Sequence, residues 1–369
     1  MTWLTERGNN ARTSVVVTNN KGQEFITFFT PKAFYKLNLQ GRLLQRSPIQ
    51  GKGLVTKVVL GQNRVITSRY NASCQVFNWN GDYLWSANLP PLVDQELEPI
   101  TTGNEIYLAC NYGDQNDLDP EILEDNTPQP KSKSSIECYD FEGNKKWTSK
   151  IDAPMTQPTL HQGKIYTSQE GQVIIIDATK GTIEKRLDLF NSSLITSPLL
   201  VQGDTLYFGV GLDKTPKFVS YNLKTRQCIL QDLPFILTGI SGTQPPQEQQ
   251  YLTGLSTPKQ DYSTLSNSSG SWKKNFPNIL RVALSDENIF VVTKERDKKT
   301  LYCLSTKGQV IWQTDPTTFQ VKDIAITENQ IICTDSIDQI VALGQKGKYL
   351  WDFKTQEKFV SNLAGLSYK

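Results

Sequence analysis

Apolar and polar positions alternate in short runs along this chain, and the runs are plainest between Thr156 and Leu187. That stretch, TQPTLHQGKIYTSQEGQVIIIDATKGTIEKRL, reads as four short segments rich in Val, Ile, Thr and Tyr. Gln162-Gly163-Lys164, Glu170-Gly171 and Thr179-Lys180-Gly181 separate them. β-branched and aromatic residues fit a pleated, half-buried surface, and Gly-containing clusters mark the turns between strands. The pattern predicts an antiparallel meander of four strands. No segment of the chain sustains a helical period.

The unit recurs. Its third segment ends in Asn, Asp or Ser, with Gly a few places on and often Trp after it. FYKLNLQG (34–41), CQVFNWNGDYLW (74–85), IECYDFEGNKKW (136–147), IIIDATKG (174–181), FVSYNLKTRQC (218–228), YCLSTKGQVIW (302–312) and VALGQKGKYLW (341–351) are seven clear copies. Their turn positions, Gly41, Gly81, Gly143, Gly181, Arg226, Gly308 and Gly347, are 40, 62, 38, 45, 82 and 39 residues apart. The 62-residue step holds a polar, Pro-containing insertion at 111–135. The 82-residue step holds an eighth, degenerate copy over 233–279, whose turn at Gly270 splits it into 44 and 38.

A period near forty residues with four strands each predicts an all-β fold, an eight-bladed β-propeller of four-stranded antiparallel blades. One sheet of this kind cannot bury both faces alone, and radial stacking solves that. The structural alternative is seven blades with a long insertion at 233–279. Either way, 1–369 forms a single domain. The sequence leaves ring closure open, with Thr2–Arg7 and Phe359–Tyr368 as the two segments able to supply an extra strand between the first blade and the last.

The residue pattern D-x-x-x-G-x-x-x-W, preceded by GxIYxxxxxGxVxxID, resembles the pyrroloquinoline-quinone-type (PQQ-like) propeller repeat. Ile175-Ile176-Asp177-Ala178-Thr179-Lys180-Gly181 matches it closely, as do Tyr139 to Trp147 and Asn78 to Trp85. The resemblance implies that Trp85, Trp147, Trp312 and Trp351 pack between blades and that the Gly makes the turn to the outermost strand. Quinoprotein dehydrogenases of that superfamily carry a vicinal disulfide and a calcium site with an Asp base. This chain has no Cys-Cys pair, so no quinone and no other cofactor is expected. Its character is closer to the superfamily's non-enzymatic eight-bladed scaffold, the outer-membrane β-barrel assembly lipoprotein.

Composition adds exclusions. The 39 basic and 37 acidic side chains leave a formal charge of +2, which gives no global footprint for nucleic acid or an anionic membrane. The N-terminal residues lack an apolar h-region and the first cysteine is Cys74. No secretory signal, lipobox or membrane span is therefore expected, nor membrane insertion, and the location expected is cytoplasmic. Cys74, Cys110, Cys138, Cys228, Cys303 and Cys333 form no metal or redox spacing and are expected to be small buried side chains. His161 is the sole histidine and has no sequence feature pairing it with a nucleophile, which argues against a catalytic triad and for a solvent-facing or capping role. The run GDQNDLDPEILEDN at 113–126 lacks EF-hand spacing, so no metal site is expected there. The inner strands are mostly apolar with few titratable groups, which disfavours an enzyme.

Strand parity sorts the loops. First-to-second and third-to-fourth turns share one face of the ring. Second-to-third turns and blade-to-blade connections share the other. The first face carries terse turns, apart from 241–250, and the second carries the irregular material. There lie Arg69 and Tyr70, the insertion with Asp114, Asp117, Asp119 and Glu121, Asp213 and Lys214, Thr257–Lys259, and the charge run with Arg296 and Lys298. The linkers 90–94 and 273–278, the latter holding Phe276, are expected there as well. Loops vary and carry function on a rigid scaffold. This face is expected to bind one or more protein partners within a larger complex, without catalysis. The runner-up is a small ligand, sugar or quinone, bound or turned over at the central channel.

Overall fold

The computed structural model describes residues 6–7, 15–20, 23–30, 33–48, 55–61, 64–69, 73–78, 80–88, 93–97, 99–102, 104–112, 133–169, 171–190, 194–212, 215–242, 250–255, 262–285, 287–315, 321–335 and 339–355. Every regular element among them is a β-strand, and the strands form eight separate antiparallel sheets. The protein is an eight-bladed β-propeller. Blade 4 shows the plain form: Thr159–His161, Lys164–Gln169, Gln172–Asp177 and Ile183–Asp188 pair in sequence order.

The degenerate copy is a true blade. Ile236–Gly242, Gln250–Leu255, Tyr262–Asn267 and Lys273–Pro277 make a complete sheet, blade 6, which excludes the seven-bladed alternative. Residues 273–277, expected as linker, are thus its outer strand. Phe276 is buried against Tyr302 of blade 7, ring centroids 5.2 Å apart, and offers nothing to a partner. Likewise Val93–Glu96 is strand rather than linker. With Ile100–Thr101 it forms an inner strand of blade 3 broken at 97–99.

Among the described residues, no strand is exchanged between the first and last blades. Blade 8 (Val321–Ile326, Gln330–Asp335, Gln339–Gly344, Tyr349–Lys354) packs directly on blade 1 (Val15–Asn20, Gln23–Phe29, Ala33–Leu37, Leu43–Pro48). Ile332, Ile340 and Ala342 meet Ile26, Phe28, Tyr35 and Leu37 in one buried cluster. Glu6–Arg7 does form a strand, but it pairs with Ile279–Leu284, the inner strand of blade 7, rather than with blade 1. Phe359–Tyr368 lies outside the described residues.

A Trp-on-Gly contact repeats at five of the eight seams. Gly181 turns with φ +70°, and a Cβ there would lie 2.3 Å from the Trp147 ring of the preceding blade. Only a residue without a side chain admits the indole. Trp147 also donates from Nε1 to the Ala178 carbonyl, 3.2 Å away. Trp85, Trp272, Trp312 and Trp351 reach the turns at Gly143, Gly308, Gly347 and Gly41 in the same way. Trp272 joins the four expected from the repeat although it stands two residues after its own blade's Gly270 instead of four.

Candidate interaction face

In all eight blades the second strand ends and the third begins on one face, as antiparallel pairing in sequence order requires. The 111–135 insertion leaves blade 3 between Glu105–Tyr112 and Lys133–Asp140, whose pairing runs to its end at Tyr112 and Lys133. Its stem is locked one residue further in. Asn111 accepts from the Met155 amide at 3.0 Å and donates back to the Met155 carbonyl at 3.0 Å. Ser134, opposite it, donates to Asn111 Oδ1 at 2.9 Å and also bonds the Ala153 carbonyl. All four residues are buried. Satisfied buried polar networks fix a single geometry, because breaking one leaves unpaired groups in low dielectric. The network clamps both ends of the insertion to the link between blades 3 and 4, giving a long loop a rigid base.

The charge run also sits at a hairpin end. Asn288–Glu295 and Lys298–Ser305 of blade 7 pair to Glu295 and Lys298, with Arg296 turning at φ +53° and both Arg296 and Lys298 exposed. Arg69 ends its strand opposite Ser73 at the corresponding hairpin of blade 2. Tyr70, Asp114, Asp117, Asp119, Glu121, Asp213, Lys214, 243–249 and 257–259 lie outside the described residues. The strand ends at Tyr112 and Lys133 and at Leu212 and Thr215 lie on the same face as Arg296 and Lys298.

The central wall holds a feature that sequence alone passed over. Arg281 on the inner strand of blade 7 and Asp323 on that of blade 8 form a buried ion pair, 5% and 0% exposed. Both sit in runs dominated by apolar neighbours, RVAL and DIAI, so neither stood out. Asp323 lies in register with Thr334 and its charge, with burial as the larger cause, raises the Cys333 thiol above its ordinary range. The pair ties two blades together in the wall of the ring.

The remaining candidate chemistry is structural. His161 donates from Nε2 to the Gly203 carbonyl of blade 5, 2.9 Å away, a bond between blades. Five cysteines are buried and Cys228 is exposed, against the expectation for all six, because it opens the outer, edge strand of its blade. Blade 3 carries two Lys-Glu-Tyr triads. Tyr107 donates to Glu105 at 2.5 Å, and Lys146 bonds the other oxygen at 2.8 Å. Tyr139 and Lys145 hold Glu137 in the same manner, at 2.6 and 2.8 Å. Burial works against the Glu105 carboxylate, but the bonds from Lys146 and Tyr107 prevail and hold its pKa below the usual range. Burial pushes the Cys138 thiol up to about 12, so it stays protonated. Among the described residues no group of His, Cys, Asp or Glu is placed to hold a metal ion.

Comparison with known proteins gives the same architecture. Residues 263–366 match the family model described as outer membrane protein assembly factor BamB. No curated protein matches the chain. Among solved structures, BamB from Moraxella catarrhalis is 13% identical, with 94% of this chain and 95% of that one covered at a TM-score of 0.57. The computationally designed Ika8 protein is also 13% identical, covering 95% and 98% at 0.59. Apo AztD from Citrobacter koseri is 11% identical, covering 90% and 95% at 0.57. At these identities the likeness is one of fold.

Proposed function

We propose that this PQQ-like β-propeller, BamB-like in character, is a non-catalytic scaffold that binds a protein partner through its second-to-third hairpin face. The observation that carries the reading is the Asn111–Ser134–Met155 network. Long surface insertions are tolerated cheaply, and a tolerated one needs no buried clamp at its base. Here the stem is fixed by buried hydrogen bonds among Asn111, Ser134, Ala153 and Met155, which set where the loop leaves and rejoins blade 3. Preorganisation of this kind lowers the entropy cost of association.

The acidic insertion and the basic hairpin tip at Arg296 and Lys298 give this face both signs of charge, suited to a partner surface of mixed charge. Such complementarity sets specificity and association rate more than raw affinity. The relative described as an assembly factor is consistent with a role inside a larger complex. The runner-up, a sugar or quinone in the channel, has one buried inner-strand ion pair in its favour, and Arg281 and Asp323 already neutralise each other.

Affinity purification from the native cell followed by mass spectrometry tests the proposal. The full chain is compared with a variant whose residues 114–131 are replaced by a short Gly-Ser linker, leaving Asn111 and Ser134 intact. Loss of the specific co-purifying proteins, at unchanged melting temperature, is the expected result. Recovery of the same proteins in the same amounts would overturn it.

A further inference from the structure

The opposite face carries a pattern of its own. Each third-to-fourth turn leads into an outer strand whose first residues lie at the rim of that face. Taken from the end of the third strand to the fourth residue after the turn, the eight windows are 38–45, 78–85, 140–147, 177–185, 222–230, 267–274, 305–312 and 344–351. They contain twelve Lys or Arg against five Asp or Glu, in a chain whose net charge is only +2. The windows carry a net +7 and the rest of the chain −5, and those of blades 7, 8, 1 and 2 hold four of the twelve cations and one of the five acids, Asp82.

Apolar side chains stand beside it. Val310-Ile311, Tyr349-Leu350, Leu43-Leu44 and Tyr83-Leu84 open the outer strands of blades 7, 8, 1 and 2, four blades in succession, and are 38 to 55% exposed. At the same positions blade 3 has Lys145-Lys146 and blade 6 Lys273-Lys274. Exposed apolar pairs at equivalent positions of four successive blades are a pattern rather than scatter, and Ile229-Leu230 of blade 5 is exposed as well. Lys307, Lys346, Lys348 and Arg42 occupy the turns next to these pairs, all exposed. No ion pair involving these four occurs among the described residues.

Geometry decides what such a band fits. Equivalent positions in a radially repeated fold lie on one circle perpendicular to the ring axis. The apolar pairs and their flanking cations are therefore close to coplanar and can meet a flat surface together. A flat surface that is anionic and apolar just beneath is a membrane leaflet with acidic lipids. Lysine and arginine seek its headgroups while Leu, Ile, Val and Tyr enter the boundary below.

We propose that the third-to-fourth turn rim of blades 7, 8, 1 and 2 docks peripherally on an anionic lipid surface. The hairpin face then points away from the membrane, free to bind its partner. Docking of this sort crosses no bilayer and asks nothing of the partner-binding reading, so either could fail alone.

Co-sedimentation of the full chain with vesicles tests it. Vesicles of phosphatidylcholine with about one-third phosphatidylglycerol should pellet the protein, whereas pure phosphatidylcholine should not, and raised salt should weaken the binding. Lys307→Glu/Lys346→Glu/Lys348→Glu should lower binding by on the order of tenfold or more. Tyr349→Ser/Leu350→Ser/Leu43→Ser/Leu44→Ser, exposed changes checked by circular dichroism, should lower it separately at constant charge. Arg296→Glu/Lys298→Glu on the opposite face should leave it unchanged. Failure of the wild-type chain to bind acidic vesicles would overturn the proposal. So would insensitivity to the apolar substitutions together with equal binding to duplex DNA, which would reduce the rim to a general polyanion site.

Discussion

The seam between blades 8 and 1 and the seams flanking blade 5 solve the same packing problem differently. At the first, Trp351 lies on Gly41 and donates to the Leu39 carbonyl at 2.8 Å. Between blades 4 and 5 the Trp position is Lys185, and the turn position it would cover is Arg226, at φ +60°. The two absences go together: a side chain at 226 leaves no room for an indole. The third-to-fourth bulge that recurs in blades 1, 2, 3, 4, 7 and 8 is also missing from blades 5 and 6.

Those seams are sealed nearer the ring axis. Thr159 donates to the Leu199 carbonyl at 2.8 Å and His161 reaches Gly203. Tyr166, Ile195, Leu199, Leu206 and Phe208 belong to a buried cluster spanning blades 4 and 5. Gln250 of blade 6 donates to Gln202 of blade 5 at 2.7 Å. Blade 1 shows an intermediate form, with Gln45 in the Trp position bonding the Asn80 carbonyl and Phe34 lying against Gly81. The outer latch is thus one means of closing a seam, and inner-strand contacts are another.

Several substitutions would break or sharpen this contrast. Gly181→Val meets both the Trp147 ring and a left-handed backbone, and should cost about 3 kcal/mol or more by chemical denaturation. Trp351→Ala should cost about 2–4 kcal/mol by opening the closing seam, whereas Trp351→Phe keeps the ring and loses only the Nε1 bond, about 1 kcal/mol. At the unlatched seam the sign should reverse. Arg226→Gly relieves a left-handed non-glycine and should stabilise by up to about 1 kcal/mol. Adding Lys185→Trp should then stabilise further, while Lys185→Trp alone should not, a coupling read in a double-mutant cycle.

The smallest effect expected is in pH dependence. Glu105 has a folded-state pKa below its unfolded value, so the unfolded chain binds the proton more readily. Its contribution is present above the unfolded carboxyl pKa and is lost as pH falls through the folded one. Glu105→Gln should flatten the acid limb of the melting-temperature profile and leave the neutral region nearly level.

Much of the ring was legible in the sequence because each blade repeats its own local signals. Arg226 follows from the repeat's third segment, and Gly270 from the likeness of 251–272 to 207–228 inside an overlong gap, and the left-handed turn at each confirms the register. Blade 6 was blurred where Lys273–Pro277 looked like a linker, since two lysines, an Asn and a Pro hide a strand whose single buried anchor is Phe276. Trp272 was missed because its offset from Gly270 differs. The Asn111–Ser134 clamp and the Arg281–Asp323 pair join residues far apart in the chain through single polar side chains, and no periodicity announces such contacts. The rim pattern was spelled out in the sequence, but only the placement of eight turns on one circle turns it into a surface.

The most direct test of the central claim is hydrogen exchange of the full chain, alone and with its co-purified partner. Protection confined to the hairpin face, at 294–299 and around the stem at Tyr112 and Lys133, is the predicted result. Protection of the inner strands holding Arg281 and Asp323, with the hairpin face unchanged, would contradict the account.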